Sequence, residues 1–501
     1  MKIRKILIAN RGEIAIRIMN TARKMKIRTV AVKTSVEPLA MYLSFADEIF
    51  DNSEDSSEIP VFLDIEKLIS IALKTGANAL HPGYGFLAEN AYFAQKCLDN
   101  KIIFIGPSPD AIYKMGNKTI ARKLALQKGI PMAMGSEGNI SDEEEAAVIA
   151  TKIGYPVIIK AASGGGGRGM RIVRKAEEME KMFFIASKEA EKAFKDPSVF
   201  IEKYIENPKH IEFQILGDSK GNIVHLGERE CSIQRKHQKL LEEAPSCALD
   251  RNLRKKMGDM AVSIARAVNY NSAGTVEFLL DYDKNFYFME MNTRIQVEHP
   301  VTEIITGIDL IEQQIRIAGG EVLKFSQKDI KIEGWAIECR INAEDVQAGF
   351  APDPGKIEKL SLPDDPYVRV DTGIREGSAI VANYDSLIAK LIVSGKDRKE
   401  AITNCKMALD KVWIKGTKTT LPFFRLLVRN QDFQDGNFTT AFIEKDLDKY
   451  YYNSEYEEML AAWLATKLFI EENLQENSIN VDFGNRKEMS PWLFNKRMNQ
   501  F

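Results

Sequence analysis

The stretch AGTVEFLLDYDKNFYFMEMNTRIQVEHP, residues 273–300, carries the strongest fold signal in the chain. Two β-rich arms flank the turn-rich segment DYDKN, 281–285, and this arrangement predicts a β-hairpin. Glu290 and Asn292 point to one face of an extended arm, and Glu277 on the opposite arm can join them. Two carboxylates and an amide oxygen form a hard oxygen site, which suits Mg²⁺ (or Mn²⁺) bridging nucleotide phosphates.

The apolar neighbours of these acids favour a metal site over an idle pair of carboxylates. Paired acids on a strand are often merely solvated. Here Phe286, Phe288 and Met289 surround Glu290. Because an apolar environment raises the cost of a carboxylate that has no partner, a functional role is the better interpretation.

A cationic strip, NTRIQVEHP (292–300), follows the hairpin directly. Arg294 offers a planar fork to a small carboxylate-like anion such as bicarbonate. Glu298, further along the strip, can accept a proton from that anion as a general base. The pattern R-x-x-x-E alone is common, so the prediction of an anion site depends on the acids of the neighbouring hairpin.

A glycine tract, SGGGGRGM (163–170), follows a predicted strand that ends near Lys160. Glycine lets backbone N–H groups surround phosphate oxygens, and such a loop can close over a nucleotide. A flexible surface hairpin is the alternative, but the cations Lys160 and Arg168 favour phosphate binding. The Walker A pattern is absent, because Gly116–Thr119 matches only its ending.

Composition limits the classes of protein that this chain can belong to. Its 501 residues exceed one ordinary core, so we expect two to four domains. The net charge of −2 predicts neither nucleic acid nor a membrane surface as a main partner. Five scattered cysteines without a C-x-x-C pair, and no long apolar run, predict a soluble cytoplasmic protein.

Alternating strands and helices predict a parallel α/β sheet over residues 1–114. Apolar runs at 5–9, 27–32 and 102–105 read as strands, and 65–75 reads as a helix that ends at Gly76. Later strands are predicted at 156–161, 210–216, 223–227, 275–280 and 286–292, and later helices at 397–412 and 418–429.

Several blocks of sequence resemble motifs of the biotin carboxylases, which belong to the ATP-grasp superfamily. They run in a consistent order over roughly residues 3–445, and their combination is very specific. The blocks are HPGYGFLAEN (81–90), KAASGGGGRGM (160–170), EKYIENPKHIEFQ (202–214), ERECSIQRKHQKLLEEAP (228–245), EMNTRIQVEHPVTE (290–303) and ECRINAED (338–345).

The resemblance implies roles for the matching positions. ATP would be bound by Lys118, Lys160, Gly165, Gly166, Glu202, Lys203, Ile205, His210, Gln234, His237 and Leu279. Bicarbonate would be bound by Lys239, Arg294, Gln296, Val297 and Glu298, and the metal by Glu277, Glu290 and Asn292. Arg340 would face the ureido ring of biotin, and Glu298, Arg340, Arg294 and Lys239 would form the catalytic set.

The resemblance also implies a multidomain fold of mixed α/β and α+β type. We expect a Rossmann-like parallel α/β domain over 1–114 and an ATP-grasp domain over 115–334. A mobile glycine-rich lid would occupy about 131–204. A mixed α+β domain would span 335–445. The residues 446–501 lie beyond the resemblance, and their own pattern predicts a helical extension of unknown role.

The implied reaction is the carboxylation of biotin with ATP and bicarbonate, through carboxyphosphate. No A-M-K-M biotinylation motif occurs, and Lys406 lies in a predicted helix without the flanking residues. We therefore expect a separate biotin carboxyl carrier protein and a separate carboxyltransferase subunit, and, by resemblance, a homodimer. The final acceptor (acetyl-CoA, propionyl-CoA, another acyl-CoA or pyruvate) is left open.

Two other functions stay open as alternatives. Another ATP-grasp ligase that makes an acylphosphate would lack the blocks around Arg294 and Arg340. An inactive scaffold would have no reason to retain the acids and the base. Trp335 (usually histidine in the family), Asp353 (commonly serine), Tyr42 and Thr420 depart from the family pattern but lie outside the chemical set.

The segment 446–501 lies beyond the resemblance. Apolar residues recur there at helical spacing and predict one apolar helix face: Met459, Leu460, Trp463, Leu464 and Leu468. We expect this face to pack against the body of the protein. A docking helix for a partner subunit is the alternative.

Overall fold

The first part of the chain, in the computed structural model, is a five-stranded parallel sheet with helices around it. Its strands are β1 Lys5–Ile8, β2 Arg28–Lys33, β3 Glu48–Asp51, β4 Ala79–His81 and β5 Ile103–Phe104, in the order β3-β2-β1-β4-β5. The helices are α1 Gly12–Lys24, α2 Ile65–Thr75, α3 Ala91–Asp99 and α4 Pro109–Gly116. Ile6, Leu7 and Ile8 are fully buried, as expected of a parallel strand covered on both faces.

The structure describes residues 2–445, except 56, 58, 137, 141 and 162–169, together with 462–467 and 469. The chain divides into two units, Met1–Tyr451 and Tyr452–Phe501. In the second unit, 462–467 are helical and their side chains, including Trp463 and Leu464, are exposed. Three residues of the predicted apolar face lie outside the described residues: Met459, Leu460 and Leu468. The role of this segment stays a prediction.

The ends of α2 follow local sequence rules. The Asp64 side chain accepts a hydrogen bond from the Lys67 N–H and so caps the first turn. The helix ends at Gly76, which has a φ of 66°. Only glycine adopts this left-handed conformation without strain from a Cβ, and the predicted helix 65–75 is confirmed.

A small antiparallel sheet lies within the segment predicted as the lid. Its strands are β6 Val157–Ala161, β7 Arg171–Val173 and β8 Val199–Lys203, in the order β7-β6-β8. The preceding helix is α5 Lys118–Gln127, and α6 Glu143–Ile153 and α7 Met179–Phe194 pack on this sheet. The sheet and its helices share a hydrophobic cluster of their own. Residues 162–169, with Gly165 and Gly166, lie outside the described residues.

The centre of the protein is an eight-stranded antiparallel sheet. The remaining strands are β9 Lys209–Gly217, β10 Ile223–Arg235, β11 Gln238–Ala244, β12 Ala273–Leu280, β13 Phe286–Asn292, β14 Trp335–Asn342, β15 Glu344–Asp345, β16 Ala351–Pro352, β17 Lys359–Ser361, β18 Val368–Thr372, β19 Leu387–Gly395 and β20 Trp413–Lys415. The order in the large sheet is β13-β12-β9-β10-β11-β14-β19-β18. Because β11 pairs with β14, the sheet continues across the domain boundary predicted at 334/335, and the boundary itself stays a prediction.

The predicted hairpin is confirmed, with β12 and β13 paired from Thr275–Asn292 to Leu280–Phe286. The mixed α/β fold class is confirmed with it. The remaining helices are α8 Arg251–Ala267, α9 His299–Thr306, α10 Leu310–Ala318, α11 Arg398–Lys411, α12 Leu421–Leu427, α13 Gln431–Asp435 and α14 Phe442–Lys445. Both predicted late helices are present, and the second is shorter than expected. None of the helices in the described ranges is long and apolar enough to cross a bilayer.

The strand predicted at 223–227 was too short, and β11 was missed. β10 continues to Arg235 through charged positions, and such positions are typical of a loop when only the local sequence is considered. These charges are buried and paired: Arg229 donates to Glu212 on β9, and Arg254 pairs with Glu228. Ion pairs with distant residues, rather than local hydrophobic alternation, therefore keep this strand inside the sheet.

Candidate active site

Two cations from different strands converge on the buried carboxylate of Glu298, directly before α9. Oε1 lies 2.8 Å from Lys239 Nζ, and Oε2 lies 2.7 Å from Arg340 Nη2. Burial alone would raise the pKa of Glu298, but Lys239, Arg340 and Arg229 outweigh it and hold the pKa well below its usual range. The positive end of the α9 dipole acts in the same direction. Glu298 is therefore ionised and is fixed in place between Lys239 and Arg340.

Lys239 connects Glu298 to the acids of the hairpin. Its Nζ lies 2.6 Å from Glu212 Oε2, 2.9 Å from Glu277 Oε1 and 2.8 Å from Glu298 Oε1. Burial would lower the pKa of Lys239, but the three carboxylates raise it well above its ordinary value. Lys239 is thus a fixed positive charge at the meeting point of the predicted anion and metal sites.

The predicted anion strip is held in place by its own hydrogen bonds. Arg294 Nε donates to Glu89 Oε2 at 2.9 Å, and Nη1 donates to Gln296 Oε1 at 2.8 Å. Nη2 lies 3.3 Å from Asn292 Oδ1. The Arg294 guanidinium is therefore oriented by neighbours on both sides before any anion binds.

Val297 enters the site through its backbone carbonyl, which accepts from Lys390 Nζ at 2.9 Å. Lys390 is fully buried on β19 and also lies 3.1 Å from Glu13 Oε1 and 3.7 Å from Asp371 Oδ2. Lys390 therefore ties the anion strip to α1 and β18. Sequence reasoning missed this residue, because only the folded sheet brings β19 to the strip.

The predicted metal ligands meet across the hairpin. Glu277 on β12 lies directly opposite Glu290 on β13. Asn292 Nδ2 donates to Glu277 Oε1 at 2.9 Å, and His210 Nε2 lies 3.1 Å from Glu277 Oε2. Lys118 lies near enough to Glu290 to lower its pKa.

This donor set fits a divalent cation. Burial raises the pKa of Glu290, and the like charge of Glu277 raises it further, while Lys118 opposes the change. A bound cation would relieve this repulsion between facing carboxylates. Carboxylate and amide oxygens are the ligands that Mg²⁺ prefers, so the residues present suit the predicted metal.

The lid sheet supplies the other charged half of the predicted nucleotide site. Lys160 Nζ on β6 lies 2.6 Å from Glu202 Oε2 on β8, and Arg122 pairs with the same carboxylate. Lys118, at the start of α5, interacts with Glu290, Lys160 and Glu202. Lys118 therefore bridges the lid charges and the metal acids.

Other predicted nucleotide residues are spread around this region. Leu279 lies opposite His210 in the β9–β12 pair, and the buried Gln234 Nε2 lies 3.5 Å from the Cys231 carbonyl. His237, with a φ of 65°, lies in the turn between β10 and β11. Ile205 is half-buried just after β8.

Lys203 does not join the other charged groups. Its ammonium donates to the carbonyls of Gly154 at 2.9 Å and Tyr155 at 3.0 Å, within the lid. Its role, like those of Gly165 and Gly166 outside the described residues, stays a prediction.

Two buried acids beside Arg340 were also missed by sequence reasoning. Glu242 on β11 and Glu338 on β14 are fully buried. A signal existed, because Glu338 lies two positions before Arg340 and therefore on the same face of the strand. Cys231 is also buried, with its Sγ 4.0 Å from Glu298 Oε1.

Comparison with known families accounts for nearly all of the described chain. The family model for the biotin carboxylase N-terminal domain matches residues 2–112, and that for the biotin carboxylase C-terminal domain matches 338–445. The ATP-binding domain of the carbamoyl-phosphate synthase L chain matches 117–326. The chain belongs to the biotin carboxylase family.

Curated biotin carboxylases are similar over most of their length. The protein from Nostoc sp. is 52% identical over 89% of this chain and 99% of its own. Biotin carboxylase 1 of Bacillus subtilis is 52% identical over 88% and 98%. The 2-oxoglutarate carboxylase small subunit of Hydrogenobacter thermophilus is 48% identical over 88% and 93%.

Solved biotin carboxylases share the fold. The biotin carboxylase domain dimer of the Hydrogenobacter thermophilus 2-oxoglutarate carboxylase, in complex with MgADP, ADP and bicarbonate, superposes with a TM-score of 0.87 at 47% identity. It covers 90% of this chain and 99% of that one. A biotin carboxylase complex from Campylobacter jejuni gives a TM-score of 0.86 at 45% identity, covering 89% and 99%.

The predicted enzyme class, an ATP-dependent biotin carboxylase, is thereby confirmed. The predicted cofactors, ATP and Mg²⁺ with biotin as the carboxylated group, are those of this family. Other members are subunits of pyruvate and 2-oxoglutarate carboxylases.

Proposed function

We propose that this chain carboxylates a carrier-bound biotin, with Glu298 as the general base and Arg340 as the cation that stabilises the biotin anion. One observation carries the proposal: Lys239 and Arg340 both contact the buried Glu298, and Lys239 also contacts the proposed metal ligand Glu277. A base, an anion site and a metal site are therefore adjacent, which a transfer between bound reactants requires.

Bicarbonate would bind at the strip around Arg294, with Lys239 as its second cation. Glu298 takes the bicarbonate proton as the carbonate oxygen attacks the γ-phosphorus of ATP. The P–O bond to ADP breaks, and carboxyphosphate forms. The low pKa of Glu298 is a property of its ion pairs, so Lys239 must share its charge with the incoming anion for the carboxylate to become a stronger base.

Glu277, Glu290 and Asn292 would hold Mg²⁺. When bound, Mg²⁺ would neutralise charge on the ATP phosphates. Lys118 and Lys160 add positive charge from the lid side, where the Lys160 ammonium exchanges Glu202 for phosphate oxygens. These side chains orient the nucleotide so that its terminal phosphorus faces the bicarbonate.

In the second step carboxyphosphate separates into CO₂ and phosphate. The phosphate accepts the proton of the ureido N–H, and the nitrogen then forms a bond to the carbon of CO₂. Charge develops on the ureido oxygen, and Arg340 stabilises this oxygen because its guanidinium is charged at every relevant pH.

The proposal includes the predicted partners. A separate biotin carboxyl carrier protein would bring biotin, and a carboxyltransferase subunit would take the carboxyl group. The match over 99% of the Nostoc biotin carboxylase supports this division of labour, and the dimer of the Hydrogenobacter thermophilus domain supports a homodimer. The free cysteines of the chain fit the reducing cytoplasm, where we expect the reaction to occur.

The test is ADP release by the purified chain with ATP and Mg²⁺. We expect the release to depend on bicarbonate and to rise when free biotin is added. Release that needs ammonia or another acid instead would support a different ATP-grasp ligase. Release in none of these conditions would support a scaffold and contradict the proposal.

A further inference from the structure

Two buried glutamates face each other next to Arg340. Glu242 on β11 and Glu338 on β14 are register partners in the antiparallel pair, and neither side chain is exposed. Directly opposite residues have Cβ atoms about 4.5–5.5 Å apart, so the two carboxyl groups share one small volume. Arg340 lies on the same face as Glu338, two positions along β14.

The described residues supply this pair with a single close cation. Glu242 Oε1 lies 2.5 Å from Arg340 Nη2. Both oxygens of Glu338 are buried and accept no hydrogen bond from the described part of the chain. Arg340 contacts Glu242, and no ion pair is found for Glu338 among the described residues, so ionising both adjacent buried carboxylates is unfavourable.

Glu243, the next residue on β11, provides the contrast. It is also fully buried, but its side chain points to the opposite face of the sheet. There Glu243 Oε2 accepts from Trp335 Nε1 at 2.8 Å and from Arg398 Nε at 2.8 Å. Glu243 thus has two donors of its own, whereas Glu242 must share Arg340 with Glu298.

The other charges around the pair are already committed. The groups that face Glu242 or Glu338 are Arg340 on β14, Lys239 on β11, Lys390 on β19, Cys231 on β10 and Glu298 before α9. Lys239 serves three other carboxylates, and Lys390 contacts Glu13, Asp371 and the Val297 carbonyl. A proton is the remaining means of lowering the negative charge of the pair.

The direction of titration agrees with this geometry. Burial raises the pKa of Glu242 to about 7, and the negative charge of Glu298 adds to the effect, although Arg340 opposes it. Burial also raises the pKa of Glu338 well above its ordinary value, against the lowering effect of Lys390. Both groups therefore keep a proton to a higher pH than an exposed glutamate does, and lose it as the pH rises further.

We propose that Glu242 and Glu338 form a proton-sharing carboxyl pair that positions Arg340 and limits the negative charge next to the bicarbonate and ureido sites. The two glutamates are positioning residues, since they act through Arg340 rather than on the reactants. This inference deepens the proposed function and rests on the role of Arg340 in it.

The protonated pair has a direct effect on the chemistry. It leaves Glu298 as the main ionised partner of Arg340, so the guanidinium can turn its remaining N–H groups to the ureido oxygen. Nε of Arg340 is buried and donates to no described residue. When the pair ionises, it attracts Arg340 and repels both bicarbonate and the biotin anion. Turnover should therefore fall on the alkaline side of neutrality.

The test compares Glu242→Gln and Glu338→Gln with the parent chain across pH. Glutamine keeps the shape of a protonated glutamate but cannot ionise. Dividing the variant kcat by the parent kcat at each pH cancels the ionisation of bicarbonate and phosphate. We expect this ratio to rise above neutrality, by at most about tenfold per pH unit for one titrating carboxyl. Glu243→Gln, a buried glutamate on the other face, should give a ratio independent of pH.

A ratio that stays flat for both glutamine variants overturns the inference. Infrared difference spectra of the parent chain give a second measurement that does not depend on how the variants fold. A buried protonated carboxyl should appear at neutral pH and disappear in alkali, and its absence at neutral pH also overturns the inference. The infrared result is independent of turnover, so failure of the pair and failure of the proposed function are distinguishable.

Discussion

The two halves of the active site hold their charges in different ways. In the large sheet, Lys239 contacts three buried carboxylates and Arg340 contacts two. In the lid sheet, Lys160 has one carboxylate partner, Glu202, which also pairs with Arg122.

The large sheet is therefore a preorganised region, whereas the charges of the lid sheet gain further partners only when the nucleotide binds. Charges that are fixed by several partners do not reorganise when charge develops in a transition state, and such fixed charges give the largest catalytic effects. A cation with one carboxylate partner gives up fewer contacts than a cation with three when phosphate oxygens replace that partner. We therefore expect changes in the large sheet to affect turnover and changes in the lid to affect nucleotide binding.

The largest effect should come from Glu298→Gln, which removes the proposed base and keeps its shape. We expect bicarbonate-dependent ADP release to fall by roughly 10²–10⁴, the usual range for a general base. ATP binding, measured separately by calorimetry, should be retained because Glu298 is not a proposed nucleotide ligand. Unchanged ADP release would show that Glu298 is not the base and that another group accepts the bicarbonate proton.

Arg340→Ala should follow, with biotin carboxylation lowered by roughly 10²–10³, as for the loss of one oxyanion donor. The defect should lie in the biotin step, so bicarbonate-dependent ADP release without biotin should be less affected. Arg398→Ala is the matched control, since Arg398 pairs with Glu243 on the other face of the sheet. Biotin carboxylation at the parent rate in Arg340→Ala would contradict the assignment.

Lys390→Met tests whether the buried Lys390, which contacts Glu13, Asp371 and the Val297 carbonyl, also helps to bind bicarbonate. Glu13 and Asp371 would lose a buried partner, so the free energy of unfolding should fall by roughly 3–5 kcal/mol. The KM for bicarbonate should rise because the Val297 carbonyl loses its donor.

Lys209→Met is the control for this change, because Lys209 pairs with the buried Glu230 away from the strip. It should lower stability, measured by chemical denaturation, and leave the KM for bicarbonate unchanged. If both variants raise that KM equally, general loosening of the sheet rather than the Lys390 contact is responsible.

The smallest effect on the fold should come from the lid variant Lys160→Met. Arg122 still pairs with Glu202 after the change, so the free energy of unfolding should fall by less than in Lys390→Met. The KM for ATP should rise roughly tenfold, since one charged contact to phosphate is lost. The KM for biotin should not change, and the exposed Lys192→Met on α7 should change neither. A lowered kcat with an unchanged KM for ATP would contradict the expectation that changes in the lid affect nucleotide binding rather than turnover.

Local sequence patterns determined the elements whose stabilising contacts are local. The hairpin of 273–300 was predicted from its turn and its apolar arms, and its register then brings Glu277 opposite Glu290. The helix 65–75 was predicted from its apolar spacing and its terminal glycine, and the structure adds the Asp64 cap. The resemblance of motifs indicated which charged residues belong to one site.

Tertiary structure alone decided the pairing between distant segments. β10 and β11 carry charges that look like loop residues until Glu212 and Arg254 neutralise them from other elements. Lys390 and Glu242 had no local signature, and the spacing of Glu338 from Arg340 showed only a common strand face, because their partners come from strands that meet only in the assembled sheet. Periodicity records which face a side chain points to, whereas burial and ion pairing depend on what the rest of the fold places against that face.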